Sequence, residues 1–169
     1  MSNSSHPAGR GVVRQLTVEE VWHALSHASF AVLSHVTPGG EPRSSGVVYT
    51  MSGGRMYVVV AKDSWKARHI AANGSVAVTV PIRRGGVMSL LVHIPPATVS
   101  FPAVAAVHPG SALADRPELA RLAPPERRAE FAVVEITPAG HFVTYGVGIP
   151  LLRMRDQAAS RARVPLVRS

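Results

Sequence analysis

The residues most suited to chemistry lie in one short stretch, AKDSWKARHI, at positions 61–70. It follows a β-rich run and opens a predicted helix with Ser64 as the N-cap candidate. Backbone N–H groups at a helix start, a serine hydroxyl and nearby cations together suit an anion such as phosphate. Both lysines of the chain, Lys62 and Lys66, fall here, although Asp63 would repel an anion. The stretch predicts a phosphate site or, alternatively, an ordinary capped surface helix.

Other kinds of reactive site find less support. The chain contains no cysteine, which excludes disulfides, thiolate zinc sites, iron–sulfur clusters and cysteine nucleophiles. His23 and His27 have the i, i+4 spacing of a metal pair but flank an apolar helix stripe, and only Glu19 and Glu20 accompany them. We therefore predict no metal site, and no catalytic residue is assigned. The polar aromatic residues that deserve inspection are Tyr49, Tyr57, Tyr145 and His69.

The elements that must position this stretch are mostly short β-strands. Apolar residues at helical spacing predict a first helix at 17–28, where Thr17 and Glu20 also form a capping box. A second helix is predicted at 64–73, ending before Gly74, and one or two short helices at 113–128. The predicted strands are 30–36, 44–51, 56–60, 76–81, 97–107, 132–137 and 141–147. Because a helix is inserted among them, a small antiparallel barrel is favoured over an immunoglobulin-like sandwich.

The charge of the chain lies mainly at its two ends. The 169 residues carry a formal charge of +8, with +2 in residues 1–14 and +4 in residues 153–169. We therefore predict a flexible basic N-terminal segment at 1–14, one nearly neutral folded domain at 15–152 and a basic tail at 153–169, extended and exposed unless residues 164–167 anchor it. Without interleaved aromatic residues, the tail does not predict specific nucleic-acid binding.

A thirty-residue stretch without charged residues, 85–114, raises the question of a membrane span. Four prolines and several polar residues interrupt it, so no run of about 20 apolar residues remains. Buried sheet or a subunit interface is the favoured interpretation, and we expect no membrane partner. The N-terminal residues do not form a charged region followed by an apolar one, which predicts a cytoplasmic protein.

The order and spacing of these segments resemble the flavin-binding split β-barrel superfamily typified by pyridoxamine 5′-phosphate oxidase. The matching segments are FAVLS with PGGEPR, GGRMYVV, SWKARHI and VAVTV, all between residues 17 and 81, followed more loosely by 97–148. The resemblance implies a mainly β fold with short helices (α+β), an antiparallel split β-barrel of six to seven strands. It also implies a homodimer with two FMN sites at the subunit interface. A true pyridoxamine phosphate oxidase is not expected, because only Arg153–Asp156 faintly match that enzyme's C-terminal basic motif.

The resemblance also implies positions for the cofactor. Ser64 and Lys66 would hold the phosphate, with Trp65 between them at a position that is often basic. The strand from Arg43 through Val47 and Val48 would flank the flavin ring, Val59 and Val60 would lie beside the ribityl chain and phosphate, and Thr98 would face the flavin from the other side. The implied activity is hydride transfer between a reduced nicotinamide and an unidentified small organic substrate. A deazaflavin-dependent reductase and a non-catalytic flavin or haem carrier or sensor are the alternatives.

Overall fold

A computed structural model describes residues 16–83, 97–148 and 160–166 of the chain. The predicted N-terminal segment 1–14 lies outside these residues, as do the first part of the uncharged stretch and the match to Arg153–Asp156. The strands are β1 (Phe30–Val36), β2 (Pro42–Ser52), β3 (Arg55–Ala61), β4 (Ser75–Ile82), β5 (Ala97–Pro109), β6 (Phe131–Pro138), β7 (His141–Tyr145) and β8 (Arg161–Pro165). The helices are α1 (Val18–Ser26), α2 (Trp65–Ala72) and three 3₁₀ helices, Gly110–Leu113, Pro117–Leu122 and Pro125–Glu130.

The eight strands form one antiparallel sheet in the order β4-β1-β2-β3-β6-β5-β7-β8. Strand β4 also pairs with β5, so the first six strands in this order close into a barrel. Closure leaves no unpaired edge within the barrel. The predicted mainly β fold and its barrel are confirmed, with β7 and β8 added beside β5.

The barrel interior follows from the alternation of side chains along each strand. In β1, for example, Ala31, Leu33 and His35 are buried while the intervening residues face outward. Helix α1 covers one opening of this interior with Val21 and Leu25. Its capping box, predicted from the sequence, is present: Thr17 accepts a hydrogen bond from the backbone of Glu20 and donates its own backbone N–H to the Glu20 carboxylate.

Helix α2 crosses from β3 to β4, as predicted for the inserted helix. Ser64 is its N-cap, and Ala67 and Ile70 are its buried residues. Gly74 follows the helix without a left-handed backbone conformation. It is needed instead for close approach, because a Cβ atom there would lie 2.6 Å from the carbonyl oxygen of Ala105.

The C-terminal part of the sheet extends the folded body past residue 152. Strand β8 pairs along the whole of β7, and Val164 is buried opposite Phe142. Residues 161–165 were expected to be an exposed tail, but they form a strand of the sheet. Val164, one of the residues expected to anchor the tail, is buried there. Arg161 and Arg163 are outward-facing on this strand. None of the described helices is long and apolar enough to cross a membrane.

Candidate functional site

A cleft of about 450 Å³ opens on the outer surface of the barrel between β2, β3 and the start of α2. Six of the residues predicted to bind the cofactor line it: Val47, Val48, Val59, Val60, Ser64 and Lys66. Their neighbours in the wall are Gly46, Ala61, Leu122 and Phe131. The walls are therefore apolar, while the hydroxyl and ammonium groups come from α2.

The start of α2 supplies hydrogen-bond donors to this cleft. The first four N–H groups of a helix lack acceptors within the helix. Two of these donors are satisfied locally: the Ser64 N–H donates to the Ala61 carbonyl at 3.0 Å, and the Ala67 N–H donates to the Ser64 Oγ atom at 3.2 Å. Within the described part of the chain, no acceptor is found for the N–H groups of Trp65 and Lys66 or for the Ser64 hydroxyl proton, so these three donors remain for a ligand.

Lys66 is the cation of the cleft. It is half-buried, and burial lowers its pKa below the ordinary value because the charged ammonium loses solvation. It forms no ion pair with any carboxylate of the described residues. Asp63, the one acid of the motif, is exposed and does not line the cleft. A half-buried cation without a counter-ion favours an anionic ligand.

Behind Lys66, two histidines connect α2 to β1. The Nδ1 atom of His69 lies 3.3 Å from the Nε2 atom of His35, so one ring nitrogen donates and the other accepts. Burial, followed by the charges of His69, Lys66 and Arg43, lowers the pKa of His35. Of these neighbours, Arg43 is paired with Glu41, whereas Lys66 has no carboxylate partner among the described residues.

Three of the predicted cofactor residues lie away from the cleft. Arg43 is exposed on β2 and forms an ion pair with Glu41, with 2.7 Å between Nη2 and Oε2. Trp65 is 71% exposed, and the guanidinium of Arg68 lies over its ring. Thr98, the second residue of β5, pairs with β4 and β7 and does not lie beside β2. Within one chain, the cleft forms without these three side chains.

The polar aromatic residues are used elsewhere in the fold. Tyr49 is buried and donates its hydroxyl to the carbonyl oxygen of Leu25 at 2.7 Å, and burial raises its pKa. The Tyr57 hydroxyl accepts a hydrogen bond from Arg116, which also stacks on the ring. Neither tyrosine lines the cleft, and nor do His69 and Tyr145. Lys66 is thus the one titratable side chain in the described lining.

Leu122 and Phe131 are wall residues that the sequence analysis missed. They come from the 3₁₀ helix at Pro117–Leu122 and the first residue of β6, which the barrel topology brings beside β3. Nothing in their local sequence marks them as site residues. Gly46 was predicted only as a member of the strand that flanks the flavin. A Cβ atom at this position would lie 2.8 Å from the ring of Phe30, so glycine leaves room for that ring.

The cleft satisfies two of the needs of a flavin that carries a phosphate. A planar ring needs apolar surface, which Val48 of β2 and Val59 of β3 supply on the outer face, and a phosphate needs cations and N–H donors, which α2 supplies. The described residues contain no cluster of three or more histidine, aspartate or glutamate side chains that could hold a metal. His27, on α1, directs its Nδ1 atom to the carbonyl oxygen of His23 at 2.8 Å.

Comparisons with known proteins agree with this architecture. The structure resembles a putative pyridoxamine 5′-phosphate oxidase from Listeria innocua, with a TM-score of 0.55 and 17% sequence identity over 71% of this chain and 91% of that one. The chain has the pyridoxamine 5′-phosphate oxidase-like split-barrel fold. No family model and no curated protein matches the sequence.

Two further split barrels carry different names. One is an F420 reductase, at a TM-score of 0.55 and 19% identity over 71% of this chain and 93% of that one. The other is a haem-binding protein from Mycobacterium smegmatis, at a TM-score of 0.62 and 20% identity over 82% of this chain and 57% of that one. At these identities the likeness shows the split-barrel fold, and the function must be argued from the cleft.

Proposed function

We propose that the cleft binds FMN and that the protein is an oxidoreductase transferring hydride between a reduced nicotinamide and a small organic substrate. The observation that carries this proposal is Lys66, a half-buried cation without a carboxylate partner among the described residues, beside unpaired N–H donors in an apolar cleft. When bound, FMN supplies the redox chemistry, because it accepts and returns a hydride.

The side chains of this chain have binding and shielding roles in that proposal. Lys66 and Ser64 hold the phosphate together with the free N–H groups of α2. The side chain of Val48 and the backbone of Val47, whose own side chain lies in the barrel core, form the wall for the ring, and Phe131 closes the opposite side and excludes water. Lys66 is the one titratable side chain of the described lining, and its role is to bind the phosphate. We therefore assign no general acid or base to this cleft.

We also propose a homodimer with the cleft at its interface. The outward-facing residues of five neighbouring strands include no aspartate, glutamate, lysine or arginine; one row across the sheet is Gly46, Val32, Thr79, Ser100 and Val143. Val48 and Phe30 extend this uncharged face, with 65% and 47% of their surface exposed. An uncharged face with exposed large apolar side chains is typical of an interaction surface. Since Gly46 and Val48 also line the cleft, a partner covering the face would complete the cofactor site.

A deazaflavin is the second candidate cofactor. Similarity to the F420 reductase favours it, and the cleft suits any ring of flavin shape carrying a phosphate. Haem is disfavoured, although a haem-binding protein shares the fold, because no histidine or methionine stands in the described lining as an axial ligand.

Reconstitution separates these candidates. The purified full-length protein is titrated separately with FMN, F420 and haem, and binding is followed by absorbance and fluorescence. We expect saturable binding of FMN at one cofactor per chain, followed by bleaching of the flavin when a reduced nicotinamide is added without oxygen. Tight F420 binding without FMN binding would select the deazaflavin. FMN binding without reduction by either nicotinamide would favour a carrier or sensor.

A further inference from the structure

A second cleft, of about 570 Å³, adjoins the first at the same end of the barrel. The two share Phe131, and consecutive residues of the connection from β3 to α2 line them, Ala61 the first and Lys62 the second. The remaining walls of the second cleft come from the end of β5, the 3₁₀ helix at Gly110–Leu113 and the segment before β6. Phe131 is therefore a wall that the two clefts have in common.

The second cleft is lined by basic residues and by no acid among the described residues. Its three nitrogen-bearing side chains are Lys62, His108 and Arg128. The Nε2 atom of His108 and the Nε atom of Arg128 are buried and have no hydrogen-bond partner within the described part of the chain. Buried polar atoms are normally satisfied, so an unpartnered nitrogen on each of two side chains that line this cleft indicates a missing acceptor.

Two acids near this cleft are engaged elsewhere. Glu135, which lines a smaller neighbouring cavity together with His108, pairs with Arg55 and Arg116. Glu130 is exposed, and its carboxylate binds Arg127, with 2.9 Å between Nη2 and Oε2. The hydrogen bond from Arg127, and more weakly the charge of Lys62, lower the pKa of Glu130. Arg128, in contrast, has no carboxylate partner among the described residues. The positive charge of the cleft is therefore available to a ligand.

We propose that this second cleft binds a phosphate or carboxylate group of a bound ligand, held by Arg128, His108 and Lys62. This anion has two possible sources. It belongs either to a flavin-type cofactor that extends beyond its first phosphate, as FAD does with its pyrophosphate, or to a separate anionic reactant that binds beside the cofactor. The first source rests on the proposed function, whereas the second requires only the cleft.

Two titrations of the full-length protein separate these sources. In one, cofactor-free wild type and Arg128→Ala are titrated with FMN and with FAD. In the other, FMN-loaded and cofactor-free forms of both proteins are titrated with inorganic pyrophosphate by calorimetry. Arg161→Ala is the matched control, because it removes the same charge from an exposed position on β8.

If the cofactor supplies the anion, Arg128→Ala weakens FAD binding at least tenfold and leaves FMN binding within twofold. If a separate reactant supplies it, the variant leaves both flavins unchanged but weakens pyrophosphate binding at least tenfold. Lys62→Gln is the second variant, because it changes an exposed side chain and can replace Arg128→Ala if that protein folds poorly. It should weaken binding of the same ligand. Unchanged FAD and pyrophosphate binding in both variants would overturn the proposal. Failure of FMN to bind, with pyrophosphate binding intact, would instead refute only the proposed cofactor.

Discussion

Replacement of Lys66 by alanine removes the one cation of the described cofactor cleft. At an effective dielectric constant of about 20, two unit charges about 4 Å apart attract each other by about 4 kcal/mol. Part of this attraction offsets the loss of solvation that also lowers the pKa of Lys66. The net value of a hydrogen bond to a charged group is about 1.5–3 kcal/mol. Lys66→Ala should therefore weaken FMN binding by about 10- to 150-fold.

Fluorescence titration with FMN and with riboflavin measures this effect directly. Riboflavin lacks the phosphate, so Lys66→Ala should leave its affinity within about twofold, and the preference for FMN over riboflavin should largely disappear. Arg68→Ala is the matched control, because Arg68 lies on the same helix but stacks on Trp65 outside the cleft. Equal loss of FMN and riboflavin binding would indicate a damaged cleft. Unchanged FMN binding in Lys66→Ala would refute the assignment of the phosphate site.

Three further predictions concern the interface, the C-terminal strand and the response to pH. Ala77→Glu places a charge on the exposed uncharged face and should shift the protein from dimer to monomer in sedimentation, weakening FMN binding, whereas Ala114→Glu, at an exposed position outside the five strands, should do neither. Val164→Ala should lower the free energy of unfolding in urea by about 1.5–3 kcal/mol, because it empties a buried site; a change below about 0.5 kcal/mol would show that β8 does not contribute to the fold. Because folding lowers the pKa of His35, the unfolded chain binds this proton more readily. Stability should therefore fall as the pH drops below about 6.5, and His35→Gln should reduce the difference between urea midpoints at about pH 7.5 and about pH 5.5; an unreduced difference would contradict the role of His35.

The sequence predicted the elements well where the pattern was local. Alternation along the strands placed β1 at 30–36, as observed, and the N-caps Thr17 and Ser64 were identified from residue type and spacing. Such signals are local because side-chain period and capping depend on residues three or four positions apart. The six wall residues of the cleft came from the resemblance, and the structure brings them together.

Contacts between distant segments could not be predicted in the same way. Leu122 and Phe131 reach the cleft because three 3₁₀ helices return the chain beside β3, and no periodic pattern in that segment announces it. The tail illustrates the same limit: residues 161–165 read as a basic extension, yet pairing with β7 buries Val164. Tyr49 is buried as a hydrogen-bond donor to Leu25 because α1 folds over the barrel, a contact across 24 residues.

The most direct test of the central claim is a crystal structure of the protein reconstituted with FMN. The account predicts the phosphate within hydrogen-bond distance of Lys66 Nζ and Ser64 Oγ, with the ring against Val47 and Val48. FMN bound with its phosphate away from α2, or in any other cleft of the molecule, would contradict it.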